Sequence, residues 1–175
     1  MIRSTILLAL VAFVAAAPAD PAIKAVLDEF KSIVPEEIRD LFKSLTPEEK
    51  QALKEVILDE NVKDEKQALE ELKAKSPALY EKAAPLSAAL HKKIEPLTGD
   101  SKKFILGLLR TAKKAFAKHL AGEAVTADQL KALIGGQVKL FDALPDASKA
   151  ELKTAFPKVA SVIGSDTLQA FIKSA

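Results

Sequence analysis

Residues 35–58, PEEIRDLFKSLTPEEKQALKEVIL, set the terms for the rest of the chain. Ile38, Leu41, Phe42 and Leu45 recur at helical spacing, and Leu53, Val56 and Ile57 do so again after a break at Ser44-Leu45-Thr46. Each half opens with a proline and two glutamates. Proline is well tolerated at a first helical position, because it has no amide hydrogen to lose there and its φ is already helical. Thr46 and Glu49 have the spacing of a capping box, in which each side chain satisfies an amide that the helix start leaves unpaired. The stretch predicts two short amphipathic helices joined without a real loop.

The same pattern extends in both directions. Ile23, Val26, Leu27, Phe30, Ile33 and Val34 make an apolar stripe on a helix from about Pro21 to Val34. From Asp64 to Lys75 the stripe is thinner, with Leu69 and Leu72. Ser76-Pro77 opens a helix bearing Leu79, Tyr80, Ala83, Leu86, Leu90 and Ile94, which the internal Pro85 is predicted to kink or split. Pro96, Thr98 and Gly99 mark a turn. The longest helix is predicted from Asp100 or Ser101 to Ala121, stopping at Gly122, with Phe104, Ile105, Leu108, Leu109, Ala112, Phe116 and Leu120 on a broad face.

Thr126 and Gln129 form a second capping box, starting a helix through roughly Ala143. Its stripe of Leu130, Leu133, Ile134, Gln137 and Phe141 stays in phase across Gly135-Gly136, which therefore read as a bend or close-approach point. Ser148 and Glu151 are predicted to cap a further helix bearing Leu152 and Phe156. Pro157 restarts the chain, Gly164 interrupts it, and Leu168, Phe171 and Ile172 close it. No stretch alternates as a strand does. The expected architecture is all-α: one domain of roughly nine to eleven short helices.

The first twenty residues, MIRSTILLALVAFVAAAPAD, place one Arg before an apolar run and then small residues, the form of a secretory signal peptide. Val14 and Ala16 put the cut after Ala16, giving residues 1–16 as leader and 17–175 as the mature domain. The run from Ile6 to Ala17 is too short to span a bilayer. Without the leader the chain carries 25 basic and 24 acidic side chains, so no strong field favours nucleic acid. Only Arg39 and Arg110 remain as arginines. An exported chain with no cysteine must hold together by helix packing alone.

Catalytic chemistry has little to draw on. Without cysteine there is neither a thiol nucleophile nor a zinc–cysteine site, and His91 and His119 show no metal-ligand spacing. Acidic pairs such as Glu36-Glu37 and Glu48-Glu49 fall in first turns, where they suit the helix dipole. The chain is read as a non-enzyme with no cofactor and no metal. His119 falls on the apolar face of its helix, as a core-edge histidine or a ligand contact. Tyr80, the single tyrosine, has a hydroxyl that needs water, a carbonyl or a ligand head group.

The segment 35–58, the leader, the Pro-punctuated short helices and the absence of cysteine together resemble the nematode fatty-acid- and retinol-binding family. The resemblance runs over the whole mature chain. It implies a secreted all-helical carrier that holds fatty acids and retinol in an internal apolar cavity and delivers them to membranes or cells. Family members often carry an acidic-directed kinase pattern like Thr46-Pro-Glu-Glu, so Thr46 is also a candidate phosphorylation site beside its capping role. Size and helical phase select the cavity wall: Phe30, Ile33, Leu41, Leu45, Leu53, Ile57, Tyr80, Leu90, Phe104, Leu108, Phe116, Leu133, Ile134 and Phe141. The lipid carboxylate belongs near an entrance, met by water, Lys or Arg, because an unpaired buried charge is costly. The rival reading is a secreted helical interaction protein with a solid core and no ligand.

Overall fold

The computed structural model describes residues 21–59, 61, 62, 64–120 and 126–173, and every regular element among them is an α-helix. In chain order these are α1 (Pro21–Ile33), α2 (Glu36–Ser44), α3 (Pro47–Leu58), α4 (Glu65–Lys75), α5 (Pro77–Ile94), α6 (Gly99–Leu120), α7 (Ala127–Asp142), α8 (Asp146–Ala155), α9 (Pro157–Ile163) and α10 (Asp166–Lys173). The predicted leader, the Gly122 stop and the side chains of Phe116 and His119 lie outside the described set.

The starts are fixed by local chemistry. At α3 the Thr46 amide donates to Glu49 Oε2 (2.9 Å) and the Glu49 amide to Thr46 Oγ1 (3.2 Å), completing the capping box. Thr126 and Gln129 repeat this at α7, with distances of 3.2 and 3.3 Å. Asp64 caps α4 and Ser76 caps α5, whose first residue is Pro77.

One expectation is narrowed and one corrected. Of the two outcomes expected at Pro85, a split is excluded, since α5 runs unbroken from Pro77 to Ile94. Pro85 is exposed, so the carbonyl deprived of its hydrogen bond faces the solvent side, where water satisfies it. Ser148 does not cap α8, which begins two residues earlier at Asp146 behind Pro145. Ser148 is buried, and its carbonyl accepts from the fully buried Ser101 hydroxyl (3.3 Å). Glu151 instead reaches the start of α6, accepting from the Thr98 amide (3.0 Å) and hydroxyl (2.8 Å).

The buried side chains form two apolar cores. The first gathers Val26 and Phe30 of α1, Leu90 and Ile94 of α5, and Phe104, Ile105 and Leu109 of α6 with residues from α7 to α10. The second gathers Val34, Ile38 and Leu45 with Leu53, Val56 and Ile57 of α3, Leu72 of α4, and Leu79 and Ala83 of α5. α3 packs on α4 and α6, α4 along α5, and α8 along α9. α1 lies against α9 and α10, bringing the two ends of the described chain together, and Ser165 Oγ donates to Glu29 across that contact. α5 and α6 each contribute to both cores.

Gly135-Gly136 sits inside the continuous helix α7. A Cβ on Gly135 would meet Ile172 Cγ2 at an ordinary 3.7 Å, and one on Gly136 would enter open space. Neither glycine is demanded by crowding. Gly136→Ala should therefore stabilise the protein by about 0.5–1 kcal/mol, the usual gain for a helix-interior position. Thr46→Ala should cost about 1 kcal/mol through loss of the cap. Urea titration of both variants against the parent checks the two signs together.

Candidate functional site

The residues selected as a cavity wall divide between the two cores. Phe30, Leu90, Phe104, Ile134 and Phe141 are buried in the first, with Ile33 and Leu108 packed on its edge. The Phe104 and Phe141 rings lie 5.6 Å apart at a 58° tilt, a favourable aromatic pairing. Leu45, Leu53 and Ile57 are buried in the second core and Leu41 packs against it. Tyr80 is half-buried, with Lys73 Nζ 5.2 Å from its ring centre. Leu133 belongs to neither core: it is 38% exposed on α7, near Leu140 at 56%. Thr46, the candidate modification site, is exposed, with its hydroxyl engaged as the cap acceptor.

Where α5 passes from one core to the other, polar groups replace apolar ones. Ala83 is its last buried residue in the second core, with Leu86 packed on that core's edge, and Leu90 begins its share of the first. Between them Ser87 is buried and donates to Glu65 Oε1 at the start of α4. Glu65 is only 5% exposed, and its Oε2 lies 3.3 Å from His91 Nδ1. Burial pushes the Glu65 carboxyl above its ordinary range, against the opposing pull of Ser87 and His91.

Glu49 is buried to a similar degree but differently served. Lys82 Nζ lies 2.7 Å from its Oε1, and Thr46 donates to Oε2. The Lys82 hydrogen bond, then the Thr46 amide, hold this carboxyl below its ordinary value of 4.5. One residue thus completes the α3 cap and ties α3 to α5.

Between α6 and α7, Gln137 Nε2 donates to Thr111 Oγ1 (3.3 Å), while Gln137 Oε1 is buried with no donor among the described residues. The sequence placed Gln137 in the apolar stripe but gave no sign of this pairing. Glu65 and Glu49 were equally hidden, because each sits in a first turn where a solvated acid is the ordinary occupant. No group of three His, Cys, Asp or Glu among the described residues is placed to hold a metal. No described helix is long and apolar enough to cross a membrane.

Among the described residues the structure is thus all-helical, with an apolar interior, isolated buried polar groups and no cluster placed to hold a metal. Comparison with known proteins agrees. Residues 28–175 match the family model for nematode fatty acid retinoid binding protein (Gp-FAR-1). Fatty-acid and retinol-binding protein 1 of Caenorhabditis elegans is 34% identical over 98% of this chain and 97% of its own. The protein of that name from Wuchereria bancrofti is 32% identical over 97% and 94%. The solved structure of the fatty acid and retinol binding protein Na-FAR-1 from Necator americanus superposes with a TM-score of 0.74 at 31% identity, covering 84% of this chain and 95% of that one. The chain belongs to the nematode fatty-acid- and retinol-binding protein family, a family of lipid binders rather than enzymes.

The two buried carboxyls give stability contributions of opposite sign. For Glu49 the folded value is lowered, so its contribution is full above about 4.5 and is lost as pH falls through the folded value. For Glu65 the folded value is raised, so the folded state takes up a proton first and gains stability as pH falls from that value toward 4.5. Relative to the parent, Glu49→Gln should lose most stability at neutral pH and least in acid. Glu65→Gln should be favoured at neutral pH, with its advantage shrinking on acidification. Urea unfolding across pH 3–8 reads both trends.

Proposed function

We propose that this protein is a secreted carrier that binds fatty acids and retinol in an apolar interior and delivers them to membranes. The observation that carries the reading is the near full-length match to relatives named for those ligands. The form of residues 1–16 supports export. The ligand space lies among the faces of α1, α5, α6 and α7 that meet at the first core, with Leu108 on its edge and Phe104, Ile134 and Phe141 behind it.

The energetics are favourable. Burying an acyl chain of about sixteen carbons gains roughly 12 kcal/mol gross at ~0.8 kcal/mol per methylene. Lost freedom and ordering of the site return several kcal/mol, which leaves room for micromolar to nanomolar binding. Aliphatic and phenyl side chains make a lining that tolerates differences in chain shape. The lysine-rich surface suits collisional delivery: transfer to acceptor vesicles should quicken with anionic lipid and slow with salt.

The direct test is solvent extraction of protein purified from its natural source, followed by lipid analysis. Near-stoichiometric fatty acid or retinol is the expected result. No lipid would favour an interaction protein with a solid core, and many lipids per chain would favour a surface particle binder. Leu108→Trp, which adds bulk at the edge of the first core, should reduce oleate uptake at least about ten-fold while circular dichroism and the melting transition stay near those of the parent. Unchanged uptake would remove Leu108 from the ligand space.

A further inference from the structure

Several of the described lysines meet an acid on their own helix, or one on a neighbour. Lys24 and Lys31 pair with Asp28, Lys43 with Asp40 and Lys66 with Glu70, while Lys75 and Lys82 cross to Glu55 and Glu49. On α6 only Lys103 does so among the described residues, pairing with Asp100 at the helix start. After Asp100 its sequence to Leu120, SKKFILGLLRTAKKAFAKHL, contains six Lys or Arg residues and no acid. A cation in the middle of that helix has no carboxylate three or four residues away, so any anion must come from another element or from a ligand.

Lys113 is the cation for which this matters. It is half-buried, and it has no ion-pair or hydrogen-bond partner among the described residues. The positions one turn away on its helix face are apolar. Leu109, one turn before it on the same face, belongs to the first core, and Ala117, one turn after it, packs on the second. Lys113 therefore stands where α6 crosses between the cores. Burial alone pushes its ammonium below the usual lysine range. The other half-buried lysines of the C-terminal half are engaged: Lys102 donates to the Glu95 carbonyl, Lys149 to the Asp142 carbonyl, and Lys131 lies over the Phe171 ring.

We infer that Lys113 is the residue that meets the carboxylate of a bound fatty acid, with the acyl chain entering the apolar interior beside α6. This rests on the carrier reading and assigns its head-group contact. A half-buried ammonium without a counter-ion is unfavourable alone and favourable once a carboxylate shares its site, whereas the chain gains from burial in either case. Lys113 therefore sets the preference for an acid over an alcohol of equal length. Its amphipathic stem lets the head group stay near the surface while the methylenes line the apolar path.

Oleate and oleyl alcohol, identical but for the charged end, separate the two contributions. The protein purified after expression of the full chain, fully delipidated, is titrated with each by calorimetry, alongside Lys113→Gln, Lys113→Arg, Lys54→Gln and Arg39→Gln. Lys54 is a control, half-buried on α3 and without an ion-pair or hydrogen-bond partner among the described residues. Arg39 is the rival, with a buried Nε that no described group accepts from. Lys113→Gln should weaken oleate about ten-fold or more, as loss of a charged hydrogen bond does, and leave oleyl alcohol nearly unchanged. Lys113→Arg should keep most of the oleate affinity, and Lys54→Gln should match the parent. Equal loss of both lipids in Lys113→Gln would mean a packing role and overturn the assignment. So would full retention of oleate, or a selective loss confined to Arg39→Gln. A parent protein that takes up neither lipid would remove the carrier reading itself, and the assignment with it.

Discussion

Everything in this fold depends on two helices that serve both cores. Helices of seven to twenty-two residues are marginal in water by themselves, and stay folded because each hides an apolar face. With no cysteine in the sequence, no covalent tie supplements that burial. α5 places Leu79 and Ala83 in one core and Leu90 and Ile94 in the other, and α6 does the same with Leu109 and Ala117. The shared helices hold the cores in register, so the continuity of α5 past Pro85 is a structural requirement. An exposed proline meets it at low cost, since only a solvent-side hydrogen bond is lost.

The same arrangement explains where the polar residues went. A helix crossing between two cores has a short stretch that belongs to neither, and buried polar or charged groups are tolerated there when partnered. Ser87 and His91 occupy that stretch on α5, facing Glu65 of α4, and Lys113 the corresponding one on α6. The α5 group is partly satisfied from within: Ser87 bonds Glu65, whose Oε2 lies near His91 without a hydrogen bond among the described residues. The α6 lysine has no such neighbour among the described residues, and the ligand contact inferred there rests on that.

Much of this was legible in the sequence because helix faces and helix starts are local. The stripe of Val26 and Phe30, the caps at Thr46 and Thr126, and the unbroken phase across Gly135-Gly136 follow from spacing of three or four residues. What was not legible depended on distant partners. Ser148 and Glu151 have capping-box spacing, but Pro145 starts the helix earlier and Thr98 claims the glutamate. Leu133 shares the phase of a core residue, yet the faces α7 turns to α6 and α10 leave it outside. The wall residues were read as one surface, and nothing in periodicity could announce that successive stripes sort into two cores. The burial of Glu49 and of Lys113 gave no signal, because burial of a charged side chain is decided by what packs over it.

A carrier of this kind must hold space that its own side chains do not fill. Ligand sites occupy about 300–1,000 Å³, and dry cavities cost about 24 cal/mol per Å³ in engineered cases, so even the small end approaches ~7 kcal/mol. That is comparable to the whole stability of an ordinary domain, ~5–15 kcal/mol. Without disulfides the empty protein is expected to contract, admit water or loosen its short helices, and a lipid that binds only the folded state should reverse this. Differential scanning calorimetry of delipidated and oleate-loaded protein, with loading confirmed by extraction, tests the point directly. The account predicts a higher melting temperature for the loaded form, rising with free oleate concentration; equal melting temperatures at confirmed one-to-one loading would contradict an internal site that exists only in the folded state.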